Sequence, residues 1–177
     1  MCRFTLPFII FFFILSSCEP VTEKRYDESG NPLPVVNRIP PYTAAKLQFR
    51  MLDSINALRQ ASGLKNLSLD KNLNAAAATH SRDMSAQNRP WHFGSDGSSP
   101  FERVKRAQFT GTMLGEVISE TYETDLQTLT VWIQDEGSRS VLLSPQATRM
   151  GFSWFQEPNG KIWWTLVTGK YETLMDE

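Results

Sequence analysis

Few side chains in this sequence can carry proton chemistry. The 177 residues include two histidines, His80 and His92, and two cysteines, Cys2 and Cys18. Imidazole exchanges a proton near neutral pH, and a carboxylate within hydrogen-bond reach can orient it. The stretch from Asn88 to Glu116, NRPWHFGSDGSSPFERVKRAQFTGTMLGE, supplies both groups. His92 lies in its turn-rich part, and Glu116 closes it inside an apolar run that reads as a strand. Delivered from separate elements, the two can share one cleft. His80 instead falls on a helical stripe of Leu73, Ala77, His80 and Met84. Such a histidine is either satisfied in the core or, if its helix faces the cleft, a ligand or acid–base group.

Other chemistries find little support. No serine stands in a nucleophile-elbow context, and no glycine-rich loop suits a phosphate. Asp135 and Glu136 are adjacent at a helix end, so they point in different directions and read as a solvated terminus. The tryptophans are core residues by pattern, except Trp91. Beside His92 in a loop, Trp91 offers a stacking surface for a sugar or lipid. The formal net charge of -1 gives no basic bias towards nucleic acid.

The elements that must position these groups are readable. Leu47, Met51, Ile55 and Leu58 form one apolar stripe of a first helix starting near Thr43. Gly63 is its stop. Leu64–Leu69 reads as a connector. Asp70 is an N-cap for the helix carrying His80. Ser99-Pro100-Phe101-Glu102 is a capping box with proline at the first helical position, predicting a short helix with Phe101 and Val104 inward. Met113–Ile118 reads as a strand. Thr124-Asp125-Leu126-Gln127 opens another helix whose apolar face holds Leu126, Leu129, Trp132 and Ile133, followed by a buried turn after Gly137. Met150–Phe155 and Ile162–Thr168 form a hairpin around Pro158-Asn159-Gly160. Both faces of that hairpin are apolar, so helices should cover both. The fold class predicted is α+β, a three-layer α/β/α sandwich with a central antiparallel sheet.

The N-terminus reads as an address. Arg3 precedes the apolar run Phe8–Leu15, too short for a mature span. Leu15-Ser16-Ser17-Cys18 resembles the bacterial lipobox, whose cysteine is lipidated after cleavage; an ordinary signal peptide or an uncleaved anchor is the alternative. Residues 1–17 are then a lipoprotein signal peptide, and 18–41 the lipidated Cys18 and a flexible Pro- and charge-rich tether. Residues 42–171 form the domain and 172–177 a tail. The remaining cysteine carries lipid, so no intramolecular disulfide forms. Glu19 after Cys18 favours the outer membrane over retention at the inner one.

The order and spacing of segments resemble the CAP superfamily of cysteine-rich secretory, antigen 5 and pathogenesis-related proteins, in its disulfide-free bacterial branch. The resemblance covers nearly all of residues 47–169. It rests on Leu52-Asp53-Ser54-Ile55-Asn56-Ala57-Leu58-Arg59, His80-Ser81-Arg82-Asp83-Met84, Trp91-His92 and Asp96 through Arg103. It continues through Gly115-Glu116-Val117-Ile118, Trp132, Ser138-Arg139, Leu143, Met150-Gly151-Phe152 and Trp163-Trp164-Thr165. The resemblance implies a cleft of two histidines and two acids, sometimes around a divalent metal. His92 matches the first histidine and Glu116 the first acid. Asp135, three residues after Trp132, matches the second acid. Ser138 stands where the second histidine belongs, ahead of the matching Arg139, and Val117 replaces the family's usual asparagine.

These departures thin the cleft to Trp91, His92, Glu116, Asp135 and Ser138. His92, Glu116 and Asp135 give a metal three ligands at best, one of them nitrogen, a set that holds zinc weakly. The expectation is a non-enzymatic, extracytoplasmic, membrane-anchored binding or interaction module of the bacterial envelope, with no cofactor or catalytic residue assigned. Lipids, cell-wall glycans and envelope proteins are its candidate ligands. The alternative is a hydrolase, with or without zinc, using His92 as base and Glu116 to orient it.

Overall fold

The structure is a computed structural model that describes residues 29–30, 36–121 and 123–172. The signal segment, Cys18 and most of the expected tether lie outside the described residues. Among the described residues no helix is long and apolar enough to cross a membrane.

Helix α1 spans Ala44–Ala61 and buries Leu47, Met51 and Ile55. It stops as its sequence demands: Gly63 takes φ +70° and the Leu64 N–H bonds back to the Arg59 carbonyl at 2.9 Å. Arg59 extends the stripe and is fully buried. Its guanidinium donates to the carbonyls of Lys65, Leu142, Ser144 and Ala147. Burying that charge requires the full set of acceptors, and apolar periodicity gives no sign of it.

The connector is not merely a loop. Ser68–Leu69 forms a short strand β1 that pairs in parallel with Arg149–Met150. The other strands are β2 (Thr112–Thr121), β3 (Arg149–Gln156) and β4 (Ile162–Lys170). Strand β4 runs antiparallel to both β2 and β3, and the sheet order is β1-β3-β4-β2. The central sheet is therefore antiparallel with one short parallel addition. Gly160 takes φ +99° in the β3–β4 turn.

Helices cover both faces. On one, α1 packs with α4 (Asp125–Gln134) and α5 (Glu136–Leu142) over Met150, Phe152, Trp164 and Leu166. On the other lie α2 (Lys71–Gln87) and α3 (Pro100–Arg106), with Leu73, Ala76, Ala77 and Val104 against Met113 and Val167. The α2 alanines allow a close approach. A Cβ on Gly151 would lie 2.1 Å from the Leu73 carbonyl carbon, so the helix backbone rests directly on β3.

Three local expectations need correction. Phe101 is 63% exposed rather than inward, because the seven-residue α3 offers only Val104 and Arg103 to the interior. Leu126 is exposed because the buried face of α4 runs through Asp125, Thr128, Leu129 and Trp132. Gly137 lies inside α5, not before a turn: Asp135 ends one helix in extended geometry and caps the next. The body also begins before Tyr42. Gln156 accepts from the Ile39 N–H and donates to the Asn37 carbonyl, which fixes these residues on the hairpin.

Candidate functional site

Glu116 is the centre of the site. The alternation of β2 sends its side chain to the α2/α3 face, while a Cβ on neighbouring Gly115 would meet Val141 of α5 on the other. The carboxylate is only 3% exposed. Arg103 of α3, 5% exposed, donates from Nη2 to Oε1 at 2.9 Å and to Oε2 at 2.8 Å. Its Nη1 donates to the Ser98 carbonyl at 3.2 Å. The pair is a charge-assisted contact in a dry environment, where each ion depends on the other for compensation.

His92 reaches the same carboxylate from the loop. Its Nδ1 lies 2.9 Å from Glu116 Oε1 while half of the side chain remains exposed. Carboxylate oxygens only accept, so Nδ1 carries the hydrogen. In the neutral ring Nε2 then keeps its lone pair.

His80 completes the cluster from beneath. It is fully buried, with Nε2 donating to the Trp91 carbonyl at 2.9 Å and standing 3.7 Å from Glu116 Oε1. Burial pushes its imidazole below the ordinary value, against the opposing pull of the Glu116 carboxylate. His80 Nδ1 has no hydrogen-bond partner among the described residues. The stripe reading of His80 as a core residue and the condition that its helix face the cleft are both met.

The loop between α2 and α3 is tied down along its length. Asn88 ends α2 in left-handed geometry at φ 49°, which turns the chain back. Trp91 Nε1 donates to Gln87 Oε1 at 2.8 Å, and Ser95 N–H donates to Asp83 Oδ2 at 2.7 Å. Arg89 stacks on the Trp91 ring at 3.9 Å, and Phe93 lies 5.6 Å from it. Trp91 thus contributes its backbone carbonyl to the site, and Arg89 occupies one face of the expected stacking surface.

Asp135 and Ser138 are not brought to this cluster. Asp135 caps α5, its Oδ2 accepting from the Ser138 N–H at 2.7 Å, and that bond holds its carboxyl below the ordinary range. Both residues belong to the α4/α5 layer, across the sheet from the Glu116 carboxylate. The expected cleft set therefore divides: His92 and Glu116 meet, Trp91 borders them, and Asp135 with Ser138 forms a helix cap. Arg103 and His80 take the two remaining places. Arg103 stands within the quoted motif, but a lone arginine in a polar helix gives no sign of its partner.

This arrangement does not suit a divalent metal. Both Glu116 oxygens already face a guanidinium, whose charge repels a cation at the same carboxylate. Among the described residues no three His, Cys, Asp or Glu side chains are grouped to hold one. Beside the cluster lies a pocket of about 400 Å3 between α2, α3 and the loop. Thr79, Asp83, Asp96, Ser98, Arg103 and Arg106 line it, presenting hydroxyls and both signs of charge. Arg106 and Asp96 are paired across it.

A three-layer α/β/α sandwich with a buried glutamate holding a loop histidine on one face defines a CAP-type module. Residues 52–168, well over half of the chain, match the Cysteine-rich secretory protein family (CAP), and the chain belongs to that family. It is 29% identical over 130 residues to YkwD of Bacillus subtilis strain 168, covering 73% of this chain and 50% of that protein. The chain thus spans about half the length of the curated relative it matches. An outer surface protein of Borrelia burgdorferi shares the fold at a TM-score of 0.67 and 15% identity, over 78% of this chain and 100% of that one. An extracellular SCP-domain protein of Bacillus anthracis gives 0.66 and 22%, over 76% and 45%.

Proposed function

We propose that this chain is an extracytoplasmic CAP module of the bacterial envelope, tethered by lipid on Cys18, that binds a polar ligand without turning it over. The lipobox-like Leu15-Ser16-Ser17-Cys18 supports the tether, and the extracellular descriptions of relatives support the location. One observation carries the binding reading. The Glu116 carboxylate is engaged on both oxygens by Arg103 and is occupied further by His92. It acts as a structural anchor for the His92 loop, and that loop forms a wall of the polar pocket. Asp83, Asp96, Arg106 and Thr79 offer charges and a hydroxyl beside the apolar surface of Ala75 and Ala107, a combination that suits a sugar with its hydroxyls and its apolar ring face, such as a cell-wall glycan.

The test is calorimetry of the lipidated full chain in detergent with soluble peptidoglycan fragments. Binding weakened by Arg106→Ala and Asp83→Asn supports the reading. No heat with any glycan fragment removes it.

A second reading has its own observation. His92 Nδ1 bound to Glu116 on a half-exposed side chain is the geometry of a carboxylate-oriented general base. In a hydrolase, Nε2 would take a proton from water attacking the substrate. Turnover of an envelope substrate that is lost in His92→Ala and retained in Asp83→Asn would favour it over binding alone.

A further inference from the structure

The end of the body where the preceding chain enters carries a second surface that the cleft does not use. Asn37, Arg38, Ile39 and Pro40, followed by Thr43, Lys46 and Arg50 of the first helical turns, line a pocket of about 300 Å3 beside the Thr124 cap of α4. Three cations border it. Arg50 is neutralised by the buried Asp125. The Arg38 guanidinium donates to the Glu157 and Pro158 carbonyls, which fix its position, and it has no ion-pair partner among the described residues. Lys46 is exposed.

Two large apolar side chains stand out on the same turns. Tyr42 is 88% exposed and Phe49 is 56% exposed. Tyr42 lies in the 3-10 turn Pro41–Thr43 that leads into α1, and Lys46 and Phe49, three residues apart, share one face of α1. Aromatic residues interleaved with cations suit a membrane–water interface, where rings sit at headgroup depth and cations meet phosphates.

We infer that this face, formed by Arg38, Tyr42, Lys46 and Phe49, docks on the anionic phospholipid surface to which the chain is anchored. The inference rests on the proposed lipid at Cys18. Two features of the molecule specify this occupant. The charges on the face itself, those of Arg38 and Lys46, are positive where anionic headgroups are negative. The pocket is also built from the first residues of the body, so the anchored chain enters at this face. Cys18 and Val36 are 18 positions apart, a span of at most about 60 Å when extended, so the face stays within reach of the bilayer. The described acids nearby are Glu123, exposed beside the Thr124 cap, Glu157, which accepts from Ser85 and Trp163, and Asp125, paired with Arg50. Docked in this way, the domain would lie against the bilayer in a fixed orientation rather than hang free.

The experiment places the full lipidated chain on phosphatidylcholine vesicles and on vesicles containing phosphatidylglycerol. Flotation with either vesicle reports the anchor, and amide exchange across Thr43–Arg50 reports docking. The expected result is slower exchange on the anionic vesicles, reversed by salt and unaffected by inorganic phosphate alone. Lys46→Glu should remove roughly fivefold or more of that slowing, the effect of one basic residue at such a surface. Phe49→Ser should weaken it as well, and flotation should persist in both. Equal exchange on the two vesicle types, or slowing unchanged in Lys46→Glu, would overturn docking even where flotation is intact. Loss of flotation in the unaltered chain would instead remove the anchor.

Discussion

The two faces of the sheet are built from different materials. On the α1/α4/α5 face, aromatic rings fill the space: Phe152 stacks on Trp164 at 5.6 Å with planes 5° apart, and Trp132 meets Phe152 edge-on at 6.5 Å. On the α2/α3 face, alanines bring the helix backbone onto β3, and Ser81 bonds Thr165 at 2.9 Å. There His80, Arg103 and Glu116 lie buried together. The first face is held by shape and area. The second combines a smaller apolar cluster around Leu73, Val104 and Val167 with the buried Arg103–Glu116 pair, and it carries the loop histidine. A fold can place a polar cluster in its interior when the opposite face supplies the apolar burial.

The largest effects should distinguish those two kinds of cohesion. Phe152→Ala is expected to cost about 3–5 kcal/mol in urea unfolding. Glu116→Ala should cost a similar 3–5 kcal/mol because it strands the Arg103 charge. The difference lies in rescue. Adding Arg103→Met to Glu116→Ala should restore much of the loss, whereas no charge removal should restore Phe152→Ala. Additive losses for Glu116 and Arg103 would remove the charge-pair account.

A smaller effect concerns pH. His80 binds its proton less readily in the folded chain than in the unfolded one. Between its lowered value and the ordinary imidazole value near 6.5, the unfolded state therefore holds more protons. Stability contributed by neutral His80 is complete above about pH 6.5 and falls as pH drops, by at most about 1.4 kcal/mol per unit. Melting temperatures from pH 7 down to 5 should fall less in His80→Gln than in the unaltered chain.

The smallest effect belongs to the exposed partner. His92→Ala should cost about 1 kcal/mol or less in the same unfolding measurement, since one half-exposed hydrogen bond is lost. A larger loss would make His92 part of the buried framework rather than a half-exposed loop residue.

Much of this division was legible in the sequence. Helical stripes, capping residues and the Pro158-Asn159-Gly160 turn placed the main elements, and His92 with Glu116 emerged as a pair. Three parts were not legible. Arg59 and Arg103 are charged residues inside the fold, and only long-range partners reveal why. Phe101 was expected inward on a short capped helix, but the seven residues of α3 turn Arg103 and Val104 to the interior and leave Phe101 out. Asp135 and Ser138 keep the spacing of a cleft pair, yet three-residue spacing also makes an N-cap. Here the helix break decides for the cap.

The most direct test of the central claim, that Arg103 holds the place beside Glu116 that a cation would need, is a zinc titration of the full chain by calorimetry. His92→Ala is titrated alongside. The account predicts no heat that depends on His92. Submicromolar zinc binding that disappears in His92→Ala would contradict it, and would mean that the carboxylate exchanges its guanidinium for a metal.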